Sequence, residues 1–390
     1  YWTFCVHTGD RTLVGATPER HVSVDDGRIL MNPISGTYRH PEGGADRDGL
    51  LRFLADPKEI DELYMVLDEE LKMMAEVADL GGQVLGPYLK EMSHLTHTEY
   101  LLAGRGSRDV REVLRGTMFA PTVVGSPVEN ACRVIARHEG RGRGYYGGVL
   151  ALLGRDAGGQ ATLDAPILIR CAEFERSGRL RVPVGATLVR HSVPEHEVAE
   201  THAKAAGVLA ALGLGTGRSP AAAPTHGCDV EVRAALERRN DTLARFWLDP
   251  RSADAAPLAP ELVGRHALVV DAEDTFTGML AHQLRALGLT VTVRSYRQYP
   301  SVGGYDLVVA GPGPGDPESQ TDRKMGELRR VVRTALAAGQ PLLGICLGHQ
   351  VLASLLGLPL VRKDVPYQGV QRKIDFFGRP ELVGFYSTFT

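Results

Sequence analysis

From Arg265 onward, short apolar runs alternate with stretches of helical apolar spacing, and no other feature of the 390 residues restricts the fold as much. His266 to Asp271 reads as a buried strand, and Phe276 to Leu287 as a helix stopped by Gly288. Thr290 to Val293 and Asp306 to Ala310 are two more strands, followed by a helix over about 321–338. Pro341 to Ile345 is a fourth strand, and Leu347 to Leu356 is helical again. Fully apolar strands separated by helices demand a parallel sheet covered on both faces. Ligands of such sheets bind beyond the carboxyl ends of the strands.

Two turns lie at those ends. Gly344-Ile345-Cys346-Leu347-Gly348-His349-Gln350 joins a strand to a helix, so Cys346 is held out at a helix N-terminus, which favours the thiolate. Gly311-Pro312-Gly313-Pro314-Gly315-Asp316-Pro317 follows another strand and can offer backbone N–H groups to an oxyanion. Either alone reads as an inert cysteine or a structural turn; both in this order point to a nucleophile and its donors. Together with Asp271 to Thr277 they resemble class I glutamine amidotransferases. The resemblance implies a flavodoxin-like parallel α/β domain in which Cys346 attacks the amide of L-glutamine, forms a glutamyl thioester and releases ammonia. It also implies an oxyanion hole at Gly313 and the N–H of Leu347. That family activates its cysteine with a His and a Glu further along the chain. Apart from His349 in the motif itself, the 44 residues after Cys346 contain no histidine. The domain is therefore expected to be C-terminally truncated, with the base beyond Thr390.

Earlier in the chain, Lys58-Glu59-Ile60-Asp61-Glu62 and Pro194 to Thr201 each carry glutamates three apart. That spacing sets Glu59 with Glu62, and Glu197 with Glu200, on one helix face. Facing carboxylate pairs suit Mg²⁺; by spacing alone they read more readily as a solvated surface pattern. Around them stand Gly15 to Glu19, Pro33 to Thr37, Tyr146-Gly147-Gly148, Ile169-Arg170, Val184-Gly185-Ala186 and Glu200 to Lys204. The ordered set resembles the catalytic domain of chorismate-using enzymes, an anthranilate synthase component I-like α+β sandwich. It begins part-way through that fold, so a missing N-terminal portion is expected.

The resemblance implies that Glu62 and Glu200 hold Mg²⁺, with Glu59 and Glu197 in support, and that Glu19 is the acid that protonates the departing ring hydroxyl of chorismate. Arg170 and Tyr146 would grip the enolpyruvyl carboxylate. Gly185, Ala186 and Lys204 would receive the ring carboxylate, and Gly36, Thr37 and Thr122 would line the pocket. His97 would stand near the ring carbon whose proton is lost in an aromatising elimination.

Having both halves in one chain points to enzymes that use ammonia in place of water. Val66 to Met74, Tyr38 to Glu42, Gly185-Ala186-Thr187, Gln368-Gly369 and Tyr386-Ser387-Thr388 depart from the anthranilate synthase pattern. With Met92 to Tyr100 and Val370 to Asp375, they resemble phenazine-type 2-amino-2-deoxyisochorismate synthases. The resemblance implies ammonia made at Cys346, added at the Mg²⁺ site, and an enolpyruvyl group retained for phenazines or related secondary metabolites. A fused anthranilate synthase, which eliminates pyruvate, is the alternative. A catalytically silent chorismate-binding partner is a third reading, opposed by the intact Cys346, Glu19 and both glutamate pairs.

The rest of the sequence sets limits. Residues 1–213 are expected to form the chorismate domain, 214–263 a linker rich in small residues and proline, and 264–390 the amidotransferase domain. Lys plus Arg is 44 against 47 Asp plus Glu, a net charge of -3, which argues against a nucleic-acid-binding surface. No apolar run approaches the roughly 20 residues that span a bilayer. The 5 cysteines are scattered and form no C-x-x-C pair, which fits a reducing cytoplasm. A homodimer is the family-level expectation.

Overall fold

The computed structural model describes residues 2–41, 44–92, 94–214, 226–252 and 254–390. Two compact units divide between Pro250 and Arg251.

In the second unit, the strands Thr290–Ser295, His266–Asp271, Leu307–Ala310 and Leu342–Gly344 lie side by side in that order, all parallel. Alternate side chains serve opposite faces, as the two-residue period of a strand requires. Leu268, Val270, Val308 and Ala310 pack against Met325, Leu328, Val331 and Val332 of the Arg323–Ala337 helix, and against Leu347 and Val351 of the Leu347–Leu355 helix. Ala267, Val269 and Val309 meet Leu280 and Leu284 of the Phe276–Ala286 helix on the other side. Burial on both faces is why the two central strands, His266–Asp271 and Leu307–Ala310, carry apolar runs, while the edge strand Thr290–Ser295 keeps polar, exposed positions. Beyond Leu355 the alternation of strand and helix ends. Arg362–Phe376 and Arg379–Phe389 form an antiparallel hairpin, and the two residues between them, Phe377 and Gly378, have φ of 53° and 80°. Two residues at positive φ suit the twist of a tight hairpin.

The first unit holds two antiparallel sheets. One is four-stranded, in the order Trp2–His7, Arg11–Thr17, Cys171–Glu175, Leu180–Arg181. In the seven-stranded sheet, Ile34–Arg39 pairs with Leu95–Arg105, which also pairs with Gln83–Glu91 and Arg28–Met31. The first of these pairings positions the site. Ser35 faces Thr98 and Tyr38 faces Thr96, so Gly36 and Thr37 together oppose His97. This two-against-one arrangement is a β-bulge, which kinks the strand and re-aims its backbone. Gly36 has φ +69°, and a Cβ there would overlap Glu59 Oε2.

Two helices cover the bulge region. Pro57–Val77 starts on Asp56, whose side chain accepts from Lys58 N–H, with Pro57 in the first turn. Its buried face includes Lys58, Glu59, Glu62, Leu63, Val66, Leu67 and Glu70. Pro194–Ala211 likewise starts on proline and buries Glu197, Glu200 and Ala205.

The unit boundary falls within the stretch expected to connect the domains, of which 215–225 and 253 lie outside the described residues. Residues 226–250 pack onto the first unit. Val232 and Leu236 of the Val230–Glu237 helix meet Phe53 and Leu54. Arg239 Nη2 donates to Leu54 O at 2.9 Å, Tyr100 Oη to Asn240 Oδ1 at 2.9 Å, and Gln83 Nε2 to Leu248 O at 3.0 Å. Trp247 is 5% exposed. Trp247→Ala is therefore expected to cost the first unit about 3–5 kcal/mol. Hydrogen exchange across a urea titration checks this: the loss falls on residues 2–250 and spares 254–390. An unchanged first unit would make 226–250 a loose tether.

Candidate functional site

The bulge gathers both glutamate pairs. Gly36 N–H donates to Glu62 Oε1 at 3.0 Å and Thr37 N–H to Glu59 Oε2 at 3.3 Å. Glu59, Glu62, Glu197 and Glu200 are all buried, the least covered being 9% exposed. In their midst stands the Lys58 ammonium. It lies 2.8 Å from Glu62 Oε2, 3.2 Å from Glu59 Oε1, 3.5 Å from Glu200 Oε2 and 3.7 Å from Glu197 Oε1. Lys204 Nζ approaches Glu200 Oε1 at 2.6 Å and Gly185 O at 3.2 Å.

These neighbours divide the protonation states. Burial pushes the Glu59 carboxyl up to about 7, helped by the charge of Glu62. Burial works in the same direction on Glu200, but the ammoniums of Lys204 and Lys58 outweigh it and hold that carboxyl down at about 2. Burial would lower Lys58, yet Glu62, Glu59 and Glu200 keep it well above the ordinary lysine value.

The donor set fits a divalent ion in kind. It is all oxygen, and Glu197 Oε2 is buried without a hydrogen-bond partner. Fully ionised, four carboxylates against Lys58 and Lys204 leave two negative charges. Among the described residues, no three acid, histidine or cysteine side chains converge closely enough to ligate a metal.

Beside this cluster a cavity is lined by Glu19, Gly36, Glu62, His97, Thr122, Tyr146, Arg170, Gly185, Ala186 and Lys204, ten of the residues singled out by sequence. Thr37, Glu59, Glu197 and Glu200 stand behind its wall through their contacts with the bulge and the two lysines. Glu19 is 1% exposed, and Oε1 has no hydrogen-bond partner. Burial pushes its carboxyl up to about 7 against the pull of Thr122, the Ile34 backbone, Arg170 and Lys204. His97 Nδ1 meets the carbonyl of Gly36, so Nδ1 carries the proton and Nε2 accepts from Arg170 Nη2 at 2.9 Å. Burial and the Arg170 charge drive its pKa down to about 3. Arg170 has φ +54°, a strained conformation for a side-chain-bearing residue, at the wall of the cavity.

Sequence reasoning missed three residues here. Arg143 lines the cavity, braced by Val123 O at 2.7 Å and by Glu139. Glu70 is buried, and its carboxyl is raised well above the ordinary value by burial and by the charge of Glu19. It follows Leu63, Val66 and Leu67 on the buried face of a helix, and an acid in that periodicity was the available signal. Lys58 received no role because a lysine beside glutamates reads as a solvated pair.

In the second unit the elbow is built as its sequence demands. Ala310 and Gly344 are register partners on neighbouring strands, so the Gly311–Gly313 turn and the Cys346 turn leave the same sheet end side by side. Cys346 has φ +49°, and a Cβ on Gly348 would overlap Ala310 O. Leu347 starts the helix behind it. The Cys346 thiol donates to Tyr386 O at 3.4 Å, and Gln350 Nε2 to Phe389 O at 3.2 Å. Although Cys346 is exposed as a residue, loss of water around its sulfur and the charge of Asp274 push the thiol above its ordinary value, with the Leu347 N–H pulling the other way.

The profile of the chorismate binding enzyme family matches residues 1–210, and that of class-I glutamine amidotransferases matches 268–390. A protein of Pseudomonas fluorescens named anthranilate synthase, phenazine specific, is 56% identical over 389 residues, covering 100% of this chain and 60% of that protein. Its namesake from Pseudomonas chlororaphis is 54% identical over the same shares. An anthranilate synthase of Azospirillum brasilense is 31% identical over 95% of this chain and 46% of its own length. The chain thus spans 60% of the length of the two Pseudomonas proteins.

A raised thiol pKa has a direct consequence for the 390-residue chain. The thiolate fraction at neutral pH falls below that of a free cysteine, so Cys346 is expected to alkylate slowly with iodoacetamide and to accelerate only as pH climbs past the ordinary thiol range. Mass spectrometry of the Cys346 peptide measures the rate. Fast alkylation at neutral pH would show a thiolate that this surrounding does not provide.

Proposed function

Because this chain belongs to the chorismate binding enzyme family and also carries a class-I glutamine amidotransferase segment, we propose that the full-length protein makes ammonia from L-glutamine at Cys346 and adds it to chorismate, giving 2-amino-2-deoxyisochorismate and glutamate. The names of the Pseudomonas relatives support a place in phenazine or related secondary metabolism. One observation carries the reading: a single cavity combines a buried carboxyl whose pKa is raised to about 7 with Arg143, Arg170 and Lys204. Such a cavity suits a dianion with a hydroxyl that must leave.

The chain's own residues then divide the work. Arg170, with Tyr146, takes the enolpyruvyl carboxylate through its planar fork. Backbone N–H groups of Gly185 and Ala186, with Lys204, receive the ring carboxylate. Glu19 gives its proton to the departing hydroxyl, which leaves as water, and the proton shed by the added ammonia restores the balance. Mg²⁺, held by Glu62 and Glu200 with Glu59 and Glu197 in support, would supply Lewis-acid charge beside the ring carboxylate.

The tautomer of His97 favours retention of the enolpyruvyl group. Its one basic nitrogen accepts from Arg170, and a conjugate acid near 3 makes it a weak base for taking a ring proton. A second reading, an anthranilate synthase that eliminates pyruvate, draws on the relatives' names and on the presence of His97 in the cavity. In it, Arg170 holds the enolpyruvyl carboxylate without keeping its hydrogen bond to Nε2, which is left free to take the ring proton; in the first reading it keeps both.

Incubating the full-length protein with chorismate, glutamine and Mg²⁺ separates the two. We expect a non-aromatic amino product by mass spectrometry, without pyruvate or anthranilate fluorescence; accumulation of both would establish the eliminating reading. Cys346→Ala is expected to abolish the reaction with glutamine and spare that with ammonium salt, and loss of both would give Cys346 a structural role. A general acid with a pKa of about 7 is lost as pH rises through that value. The kcat/KM for chorismate at saturating glutamine should therefore fall above about pH 7. Glu19→Gln should lower kcat about 10²- to 10⁴-fold and remove that limb. A limb that persists in the variant belongs to another group.

A further inference from the structure

Lysine is almost never buried without pairing, yet Lys58 is 9% exposed and has four carboxylates around its nitrogen. Two of those acids come from its own helix and two from a helix more than a hundred residues away. The backbone is fixed by the Asp56 cap and Pro57, but the head group hangs on four methylenes in the helix's first turn. Lys204 is placed differently: among the described residues its nitrogen meets Glu200 and the Gly185 carbonyl, on the cavity side.

We propose that Lys58 is the resident cation of the glutamate cluster, offsetting part of its charge in the metal-free protein, and that a divalent ion binds by displacing the ammonium. The proposal rests on the reading of this cluster as an Mg²⁺ site and adds the residue that tunes it. Size and charge require the exchange. The ammonium stands 2.8 to 3.7 Å from the four oxygens, whereas Mg²⁺ draws its oxygens to about 2.0–2.1 Å. An ion that draws in the four oxygens now turned toward Nζ takes the place where Nζ sits. A +1 group left inside the contracted cluster would be repelled by the +2 ion at close range. The spread of the carboxylates around the ammonium also accounts for the lack of any ready-made ligating trio among the described residues. Lys58 thus keeps four acids together before the metal arrives, and weakens metal affinity because its ion pairs must be broken first.

Mn²⁺ binding to the full-length protein, followed by the electron paramagnetic resonance of the free ion, tests this. Lys58→Met should bind Mn²⁺ at least tenfold more tightly than wild type. Its metal-free form should melt lower than wild type and gain more in Tm on saturation with Mn²⁺. Equal or weaker Mn²⁺ affinity in Lys58→Met overturns the displacement. Should that variant fail to fold, acetylation of wild-type lysines decides, read by mass spectrometry. Lys58 should be protected without Mn²⁺ and labelled faster with it; equal protection in both overturns the proposal. Glu200→Gln separates this proposal from the reading beneath it. Mn²⁺ affinity unchanged in Glu200→Gln removes the metal site itself. Affinity that depends on Glu200 with no gain in Lys58→Met removes only the role of Lys58.

Discussion

Four carboxylates buried in one place repel one another, and each loses the water that would stabilise its charge, at a cost of several kcal/mol per ion unless a counter-charge stands close by. The first unit resolves this with Lys58 between the Pro57–Val77 and Pro194–Ala211 helices, and with Lys204 at the edge. Much else depends on that balance. The bulge at Gly36 and Thr37 turns two backbone N–H groups toward the same acids, and its carbonyl fixes the tautomer of His97. The cluster, the strand and the imidazole are one hydrogen-bonded assembly.

The same assembly sorts two kinds of carboxyl by surroundings alone. Glu200, beside two ammoniums, is held ionised down to about 2, while Glu19, with only partial compensation, rises to about 7. The first state suits a cation ligand and the second a proton donor, although both are buried glutamates, Glu19 lining the cavity and Glu200 behind its wall. Divergent environments of this kind separate acid from ligand in enzyme sites generally.

How much of this was legible in the sequence depended on whether the signal was local. Glu59 with Glu62, and Glu197 with Glu200, were legible because helical periodicity sets residues three apart on one face. The Cys346 elbow was legible because a strand, a tight turn and a helix all lie within a dozen residues. The role of Lys58 was not, since its partners Glu197 and Glu200 arrive from a distant helix and only tertiary packing removes it from water. The bulge opposite His97 was equally hidden, because two residues facing one is a property of strand pairing. Residues 228–249 read as a short charged helix within the connecting stretch, and what composition did not show is that Val232, Leu236, Arg239 and Trp247 bury themselves on the first unit. The Arg362–Phe376 and Arg379–Phe389 hairpin was missed because its strands lack the apolar runs that marked the parallel sheet.

The central claim is that the carboxylate cluster is a cation site serving the chemistry at Glu19, with the Lys58 ammonium standing in the ion's place. Anomalous scattering from crystals of the full-length protein grown with and without Mn²⁺ tests it most directly. The account predicts a manganese peak within coordination distance of Glu62 and Glu200, with Lys58 Nζ moved out of the cluster. A peak elsewhere, or none with Lys58 still seated among the four glutamates at saturating Mn²⁺, would contradict it.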